Sequence, residues 1–299
     1  MPVLSKWGQQ EMLPNFFSVS AYPYKKMESR KKHMHFTRVM DFEFFINHVQ
    51  KLKKELLNVG LSNLPIYFTE WNLSWVNRNS MNDSCAKASQ MLKIMFDLLD
   101  EIELGIYDLA SDLSIHHRKT NLPLFGGQGL LNRGSIPKPV FYALANIHFA
   151  GNELIKHGEN YIFTSHGKNL LYGICYNAKP FNINYYNRPE HEISPEDLEI
   201  IYSNNDELDL QFLISGLQDG LYCIKQGVFN EKNSVLQRWI NMGKIDIMDV
   251  NDFEYLRQTV RNDVFISQEK VINGILNFPI KLAAHEFSLV NIYPIRLDG

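Results

Sequence analysis

The sequence is poor in the features that tie a chain to specialised chemistry. It has three cysteines in 299 residues, Cys85, Cys175 and Cys223, odd in number and far apart. That spacing excludes a disulfide framework and a cysteine-based metal site, and it points to a reducing compartment, so a cytoplasmic location is expected. No apolar run approaches the roughly 20 residues needed to span a bilayer. The first fifteen residues, MPVLSKWGQQEMLPN, lack the charged-then-apolar order of a secretory signal, so no membrane partner is expected. Excess charge is missing too: 30 Lys and Arg face 33 Asp and Glu, a formal net charge of -3. A phosphate-binding surface normally leaves a basic excess, so this segment is not expected to contact nucleic acid. The basic clusters Lys25-Lys26 and Arg30-Lys31-Lys32-His33 read as a solvated loop or helix face. Internal repeats and low-complexity stretches are absent. What remains is a chain 45% hydrophobic and 12% aromatic, able to bury a substantial core as one large or two ordinary domains.

Two textures follow one another. Over residues 16–151 short apolar runs alternate with amphipathic stretches. Residues 16–22, 64–68 and 106–109 read as strands, and 42–59, 83–99 and 139–149 as helices. Strand and helix in alternation are the signature of parallel β/α units. After Gly151, strand-like segments appear at 161–164, 170–176, 208–214, 220–229, 274–282 and 287–292. The first two are separated by the turn His166-Gly167-Lys168-Asn169. Their period-2 or all-apolar character predicts an antiparallel sandwich, interrupted by a helix over 249–261 with Asp249 or Asn251 as N-cap. The expected domains are 1–152 and 153–299.

The informative stretch is residues 64–75, LPIYFTEWNLSW. An apolar strand ends in Glu70, flanked by Trp71 and Asn72. In parallel β/α folds chemistry sits just past the carboxyl ends of the strands. A carboxylate held there beside aromatic surface suits a glycosidase nucleophile, which must attack an anomeric carbon as an ionised group. From spacing alone, a strand-terminal Glu that caps the next segment or meets a Lys is an equally good reading.

PIYFTEWNLSW, NDSCAKASQMLKIM and LFGGQGLLNRGSIPKPVFYALANIHFAG together resemble glycoside hydrolase family 39, the β-xylosidases and their α-L-iduronidase relatives. The stretch Ser234-Val235-Leu236-Gln237-Arg238-Trp239-Ile240-Asn241-Met242-Gly243 is similar to that family's W-x-x-MG segment. The resemblance implies α/β plus all-β architecture: strands 6–8, the C-terminal part of a (β/α)8 TIM barrel, followed by a β-sandwich. It implies Glu70 as the catalytic nucleophile, with Tyr22, Asn72, Tyr107 and Asp108 around a sugar. It also marks departures. The family's acid/base motif N-E-P occurs nowhere in the chain, so one of two required carboxylates is missing. Ser20 stands where a His is usual, Asp108 where a Trp is usual, and Phe125 where a His precedes Gly-Gly. The positions of a sugar-holding Glu pair fall near Ile115 and His116. Losing a Trp platform and gaining a charge would rebuild the sugar site.

The resulting expectation is a carbohydrate-recognising, non-hydrolytic domain. It is closest in character to the family 39-like modules of AraC-type transcriptional regulators, where it would sense a xylose-type or related sugar. The alternative is a retaining β-xylosidase whose acid/base-bearing half lies outside these residues. A third reading is a scaffold. No cofactor and no metal are expected: His116-His117 lack partners at metal spacing, and Asp246, Asp249 and Asp252 read as helix-start signals. Tyr185-Tyr186 with its neighbouring asparagines reads as a loop anchored on the sandwich. Three parallel strands would leave open edges, so self-association, or association with an upstream barrel half, is expected.

Overall fold

The computed structural model describes residues 13–28, 34–113, 122–167 and 169–295. Strands β1 (Phe17–Ala21), β4 (Ile66–Trp71) and β5 (Leu104–Tyr107) form a three-stranded parallel sheet in the order β1-β4-β5. Strands β2 (Tyr24–Glu28) and β3 (Met34–Arg38) form a separate antiparallel hairpin. Sequence patterning missed this hairpin. Lys25 and Lys26 lie on β2, exposed as expected, but on a strand and not on a loop or helix face.

Helix α1 (Phe44–Asn58) buries Phe45, Val49, Leu52 and Leu56, a single apolar stripe at helical spacing. Truncating Leu52 or Leu56 to Ala would cost about 2–5 kcal/mol, the usual range for a buried leucine. Helix α2 (Cys85–Asp97) departs from the amphipathic pattern expected over 83–99, because it is buried on nearly every side. It packs against helix α3 (Pro139–His148) and also against strands β8 (Leu171–Tyr176) and β13 (Phe287–Pro294). Its buried polar groups have hydrogen-bond partners. Lys87 Nζ donates to Asn82 Oδ1 at 2.8 Å, Ser89 to the Ala86 carbonyl at 3.0 Å and Gln90 to the Lys179 carbonyl at 2.9 Å. Pro139 opens α3, where a missing N–H costs nothing.

The second part is antiparallel. Strands β6 (Glu153–Gly158), β7 (Tyr161–Ser165), β10 (Gly220–Phe229) and β11 (Asp263–Val271) join β8 and β13 in a six-stranded sheet ordered β11-β10-β13-β8-β7-β6. Strands β9 (Leu208–Ser215) and β12 (Ile275–Leu282) pair as a second layer. On β12 burial alternates residue by residue, and Leu276, Phe278, Ile280 and Leu282 meet Phe163, Phe212 and Val290 in one apolar cluster. The two strands that patterning did not find, β6 and β11, are the outer strands of the six-stranded sheet and are mostly exposed. A strand without a buried face carries little hydrophobic alternation.

Helix α4 (Ile183–Asn187) carries buried Tyr185, which stacks on Phe181, and Phe181 in turn stacks on Tyr202. Helix α5 (Val235–Asn241) starts at Ser234, whose hydroxyl accepts from the Gln237 N–H. Helix α6 (Val250–Thr259) starts at Asp249 in a reciprocal capping box with Asp252. A second apolar cluster runs from the parallel sheet and its helices to Ile174, Tyr176, Phe229 and Phe287 of the antiparallel sheet, so the two parts share a core. The three cysteines are free and buried. Among the described residues no helix is long and apolar enough to cross a membrane.

Candidate functional site

The site begins with an irregularity in β4. Its burial runs buried, half-buried, buried, exposed, exposed, buried, so the period-2 pattern breaks at Thr69 and Glu70. The registers of both neighbouring strands shift at the same place: Ser20 pairs with Glu70 on one side, and Phe68 to Gly105 is followed by Trp71 to Tyr107 on the other. Such a bulge re-aims a side chain. Here it delivers the Glu70 carboxylate into a cleft of about 760 Å3, lined by Ser20, Tyr22, Tyr24, Phe36, Glu70, Trp75, Asn77, Asp108, Leu109 and Gln128.

Three groups meet at its polar end. The Tyr22 hydroxyl oxygen lies 2.8 Å from Glu70 Oε1 and 2.9 Å from Asp108 Oδ2. One phenolic proton serves one of these carboxylates at a time. Burial, and then the hydrogen bonds to Glu70 and Asp108, hold the Tyr22 phenol well above its ordinary value, so it stays a donor. The Ser20 hydroxyl reaches Glu70 Oε2 only at 3.4 Å.

The family model described as "Glycosyl hydrolases family 39" matches residues 4–274. The chain belongs to glycosyl hydrolase family 39. Among its relatives, a β-xylosidase of Geobacillus stearothermophilus is 21% identical over 235 residues, covering 78% of this chain and 42% of the relative. A β-xylosidase of Caldicellulosiruptor saccharolyticus is 35% identical over 95 residues, covering 31% of this chain and 19% of the relative. A GH39 enzyme from Xanthomonas axonopodis pv. citri superposes with a TM-score of 0.79 at 17% identity, over 98% of this chain and 57% of that one. A monomeric β-xylosidase from Caulobacter crescentus gives a TM-score of 0.74 at 18% identity, over 94% and 56%. At these identities the superpositions speak for the fold. The chain spans less than half the length of the curated relatives it matches.

Within this family 39 chain, the five residues singled out from sequence separate into two groups. Glu70, Tyr22 and Asp108 line the cleft together. Asn72 and Tyr107 stand behind it. Asn72 is fully buried; its amide donates to the Asp108 carbonyl and its Oδ1 accepts from the Leu73 N–H at 2.8 Å. The Tyr107 hydroxyl donates to the Gln128 carbonyl at 2.8 Å, and burial keeps that phenol above its ordinary value. Both hold cleft-lining backbone in place. The positions near Ile115 and His116, and the pair His116-His117, lie outside the described residues.

Deeper still is a buried ionic cluster. The Lys138 ammonium lies 2.6 Å from Asp83 Oδ1 and 2.5 Å from Asp112 Oδ2, and donates to the Gly127 carbonyl at 2.8 Å. The other carboxylate oxygens accept from the Gly126 and Gly129 N–H groups at 2.8 and 2.7 Å. These glycines are dictated by closeness. A Cβ on Gly127 would stand 2.4 Å from the Asp112 carboxylate, and one on Gly126 2.4 Å from the Asn79 backbone. The GGQG turn is thereby fixed, and with it Gln128 in the cleft wall.

Sequence reasoning missed Tyr24, Phe36, Trp75, Asn77 and Gln128 as cleft residues. Trp75 closes the same LPIYFTEWNLSW stretch and Gln128 sits in the GGQG motif, so those two were within reach. Tyr24 and Phe36 depend on the hairpin.

Proposed function

We propose that this chain carries a family 39 carbohydrate-binding cleft, formed by the last three strands of a (β/α)8 barrel (residues 1–152) backed by a sandwich domain (153–299). The β-xylosidase relatives support a xylose-type or related sugar as its ligand. Glu70 and Asp108 accept sugar hydroxyls, Tyr22 donates its one phenolic proton to either carboxylate in turn, and Asn72 and Tyr107 fix the backbone around them.

As it stands the cleft recognises a glycoside without hydrolysing an unactivated one. One observation carries this reading: the Tyr22 oxygen sits between the Glu70 and Asp108 carboxylates, within 2.9 Å of each. A retaining hydrolase needs its two carboxyl groups about 5–5.5 Å apart with the scissile bond between them. Here the Tyr22 hydroxyl lies between Glu70 and Asp108, so the second acid of this cleft meets the same phenol as Glu70. We read Asp108 as an acceptor at the mouth, and the missing N-E-P motif leaves the chain without the acid/base of the family. We propose with it a sugar-sensing role in a cytoplasmic transcriptional regulator, on the family 39-like resemblance alone. A retaining β-xylosidase completed by an acid/base from further sequence is the second reading, favoured by the exposed Glu70 and by the β-xylosidase relatives.

The test has two arms. Turnover of an aryl β-xyloside, whose good leaving group reduces the need for an acid, is compared with turnover of xylobiose. Sustained hydrolysis of xylobiose that disappears in Glu70→Gln would overturn the non-hydrolytic reading. Calorimetry with pentoses, hexoses and amino sugars should show binding that Glu70→Ala abolishes and Asp108→Asn shifts away from the amino sugars. Binding indifferent to Glu70 would move the site elsewhere.

A further inference from the structure

Lys87, on helix α2, is fully buried, and its Nζ lies 5.5 Å from the ring centroid of Tyr107, which stands behind the cleft. Its one hydrogen-bond partner among the described residues is Asn82 Oδ1, at 2.8 Å. Asn82 is fully buried too. Its amide nitrogen donates to the Val76 carbonyl at 3.1 Å and to the Gly126 carbonyl at 3.0 Å. Val76 stands between Trp75 and Asn77, which both line the cleft, and Gly126 opens the GGQG turn that brings Gln128 into the same cleft. The Gln128 carbonyl is held in turn by the Tyr107 hydroxyl at 2.8 Å. Two segments of the cleft lining, far apart in sequence, thus meet at one buried amide.

An asparagine amide has an accepting end and a donating end of nearly the same shape. Here charge decides between them. An ammonium has three donors and no acceptor, so it admits only the Asn82 oxygen and leaves the amide nitrogen facing Val76 and Gly126. The reverse placement would set an oxygen against two carbonyl oxygens and an NH2 group against the ammonium. We propose that Lys87 is a positioning residue: its ammonium orients the Asn82 amide, which sets the spacing of the segments carrying Trp75, Asn77 and Gln128 and with it the affinity of the cleft. A neutral amine would not do this, because its lone pair accepts as readily as its N–H groups donate, and the charge-assisted bond to Asn82 would weaken. That proton is easily lost. Burial, then repulsion from Lys138, lowers the Lys87 ammonium to about 7, against the attraction of Asp112, Asp83 and Glu190. The cleft wall should therefore be firmly set below pH 7 and looser above it. No histidine lines the cleft among the described residues, so a transition near pH 7 has no ordinary source there.

The first readout needs no ligand. In protein labelled with 5-fluorotryptophan, the fluorine resonance of Trp75, assigned by its loss in Trp75→Phe, should shift between pH 6 and pH 8 with a midpoint of about 7. Lys87→Met and Lys87→Gln, neutral at every pH, should remove that shift. Asn82→Asp keeps an acceptor for the ammonium but no donor for the two carbonyls, and should displace the resonance at both pH values. A Trp75 resonance that stays in place from pH 6 to pH 8 in the parent chain, or that moves equally in both Lys87 variants, overturns the positioning role. The second readout rests on the proposed sugar reading. By calorimetry, methyl β-xyloside should bind about three- to tenfold more tightly at pH 6 than at pH 8, a difference that Lys87→Met removes. Equal affinity at the two pH values overturns the effect on binding. Failure to bind at either pH overturns the sugar reading instead, and the fluorine titration still decides on Lys87.

Discussion

Replacing Lys138 with Met should be among the most damaging single changes in this chain, and its cost should depend on pH. The ammonium is fully buried, with two carboxylates and one carbonyl within 2.8 Å. Burial alone would lower its pKa, yet Asp83 and Asp112 hold it above the usual lysine value. Asp83 does not mirror this. Burial pushes it up, Lys138 pulls it back only in part, and Asp112 adds to the rise. Lys138 stays charged, because its three acceptors leave no role for a neutral amine. Removing one partner of a buried ionic cluster costs about 3–5 kcal/mol. At roughly 2–4 °C per kcal/mol for chains of a few hundred residues, Tm should fall by about 10 °C. Without Lys138 the Asp83 pKa rises further above the ordinary aspartate value of about 3.9, so the folded state holds a proton that the unfolded chain releases. Stability of the variant therefore falls as pH climbs past about 4, and the deficit should be larger at pH 8 than at pH 5. Thermal unfolding by circular dichroism at both pH values reads this directly. Hydrogen exchange at the Gly126 and Gly129 amides reports whether the turn has loosened. The triple variant with Asp83→Asn and Asp112→Asn should regain part of the loss. A Lys138→Met protein that melts within about 2 °C of the parent at both pH values would show that the cluster contributes little to stability.

Lys87 should give the opposite pH signature. Burial, then repulsion from Lys138, lowers its ammonium to about 7, while the unfolded chain keeps that proton to about 10.4. Stability should therefore climb from pH 7 to pH 9 by about 2 kcal/mol in urea titrations, and Lys87→Met should flatten the rise. His285 is half-buried against Tyr202, and desolvation followed by Lys179 lowers its imidazole to about 4. Stability should fall as pH drops from about 6.5 through 4. His285→Asn, a residue that tolerates the local φ of 68°, should shift the acid midpoint downward. Strands β1 and β5 each have one neighbour in the parallel sheet, and Phe16, Leu104 and Ile106 beside them are 49–50% exposed. Light scattering should show self-association that Leu104→Lys with Ile106→Lys reduces, and a monodisperse monomer of the parent chain would contradict this.

What could be read from the sequence depended on whether a residue's role was local. The strand at residues 66–71 was legible because Ile66, Tyr67 and Phe68 form an apolar run, and Glu70 stood out because it breaks that run. Helix α1 was legible from one apolar stripe, and Asp249 from its cap chemistry. Helix α2 misled because its polar positions, Lys87, Ser89 and Gln90, are buried, the first two bonded to Asn82 and Ala86 nearby and the third to the distant Lys179 carbonyl. The hairpin escaped because Lys25, Lys26 and Phe36 are exposed, which gives β2 and β3 no hydrophobic alternation to detect. The same gap hid two aromatic residues of the cleft, since Tyr24 and Phe36 reach Trp75 only through hairpin pairing.

Asp108 shows how such a cleft can change its chemistry without losing its fold. Its backbone is fixed by β4 whatever its side chain is: its N–H donates to the Trp71 carbonyl at 3.1 Å and its carbonyl accepts from buried Asn72. The side chain is then free to vary. On the proposed sugar reading, an aromatic residue there would have given the ligand a floor to lie on, whereas a carboxylate gives it a hydrogen-bond acceptor beside the Tyr22 hydroxyl.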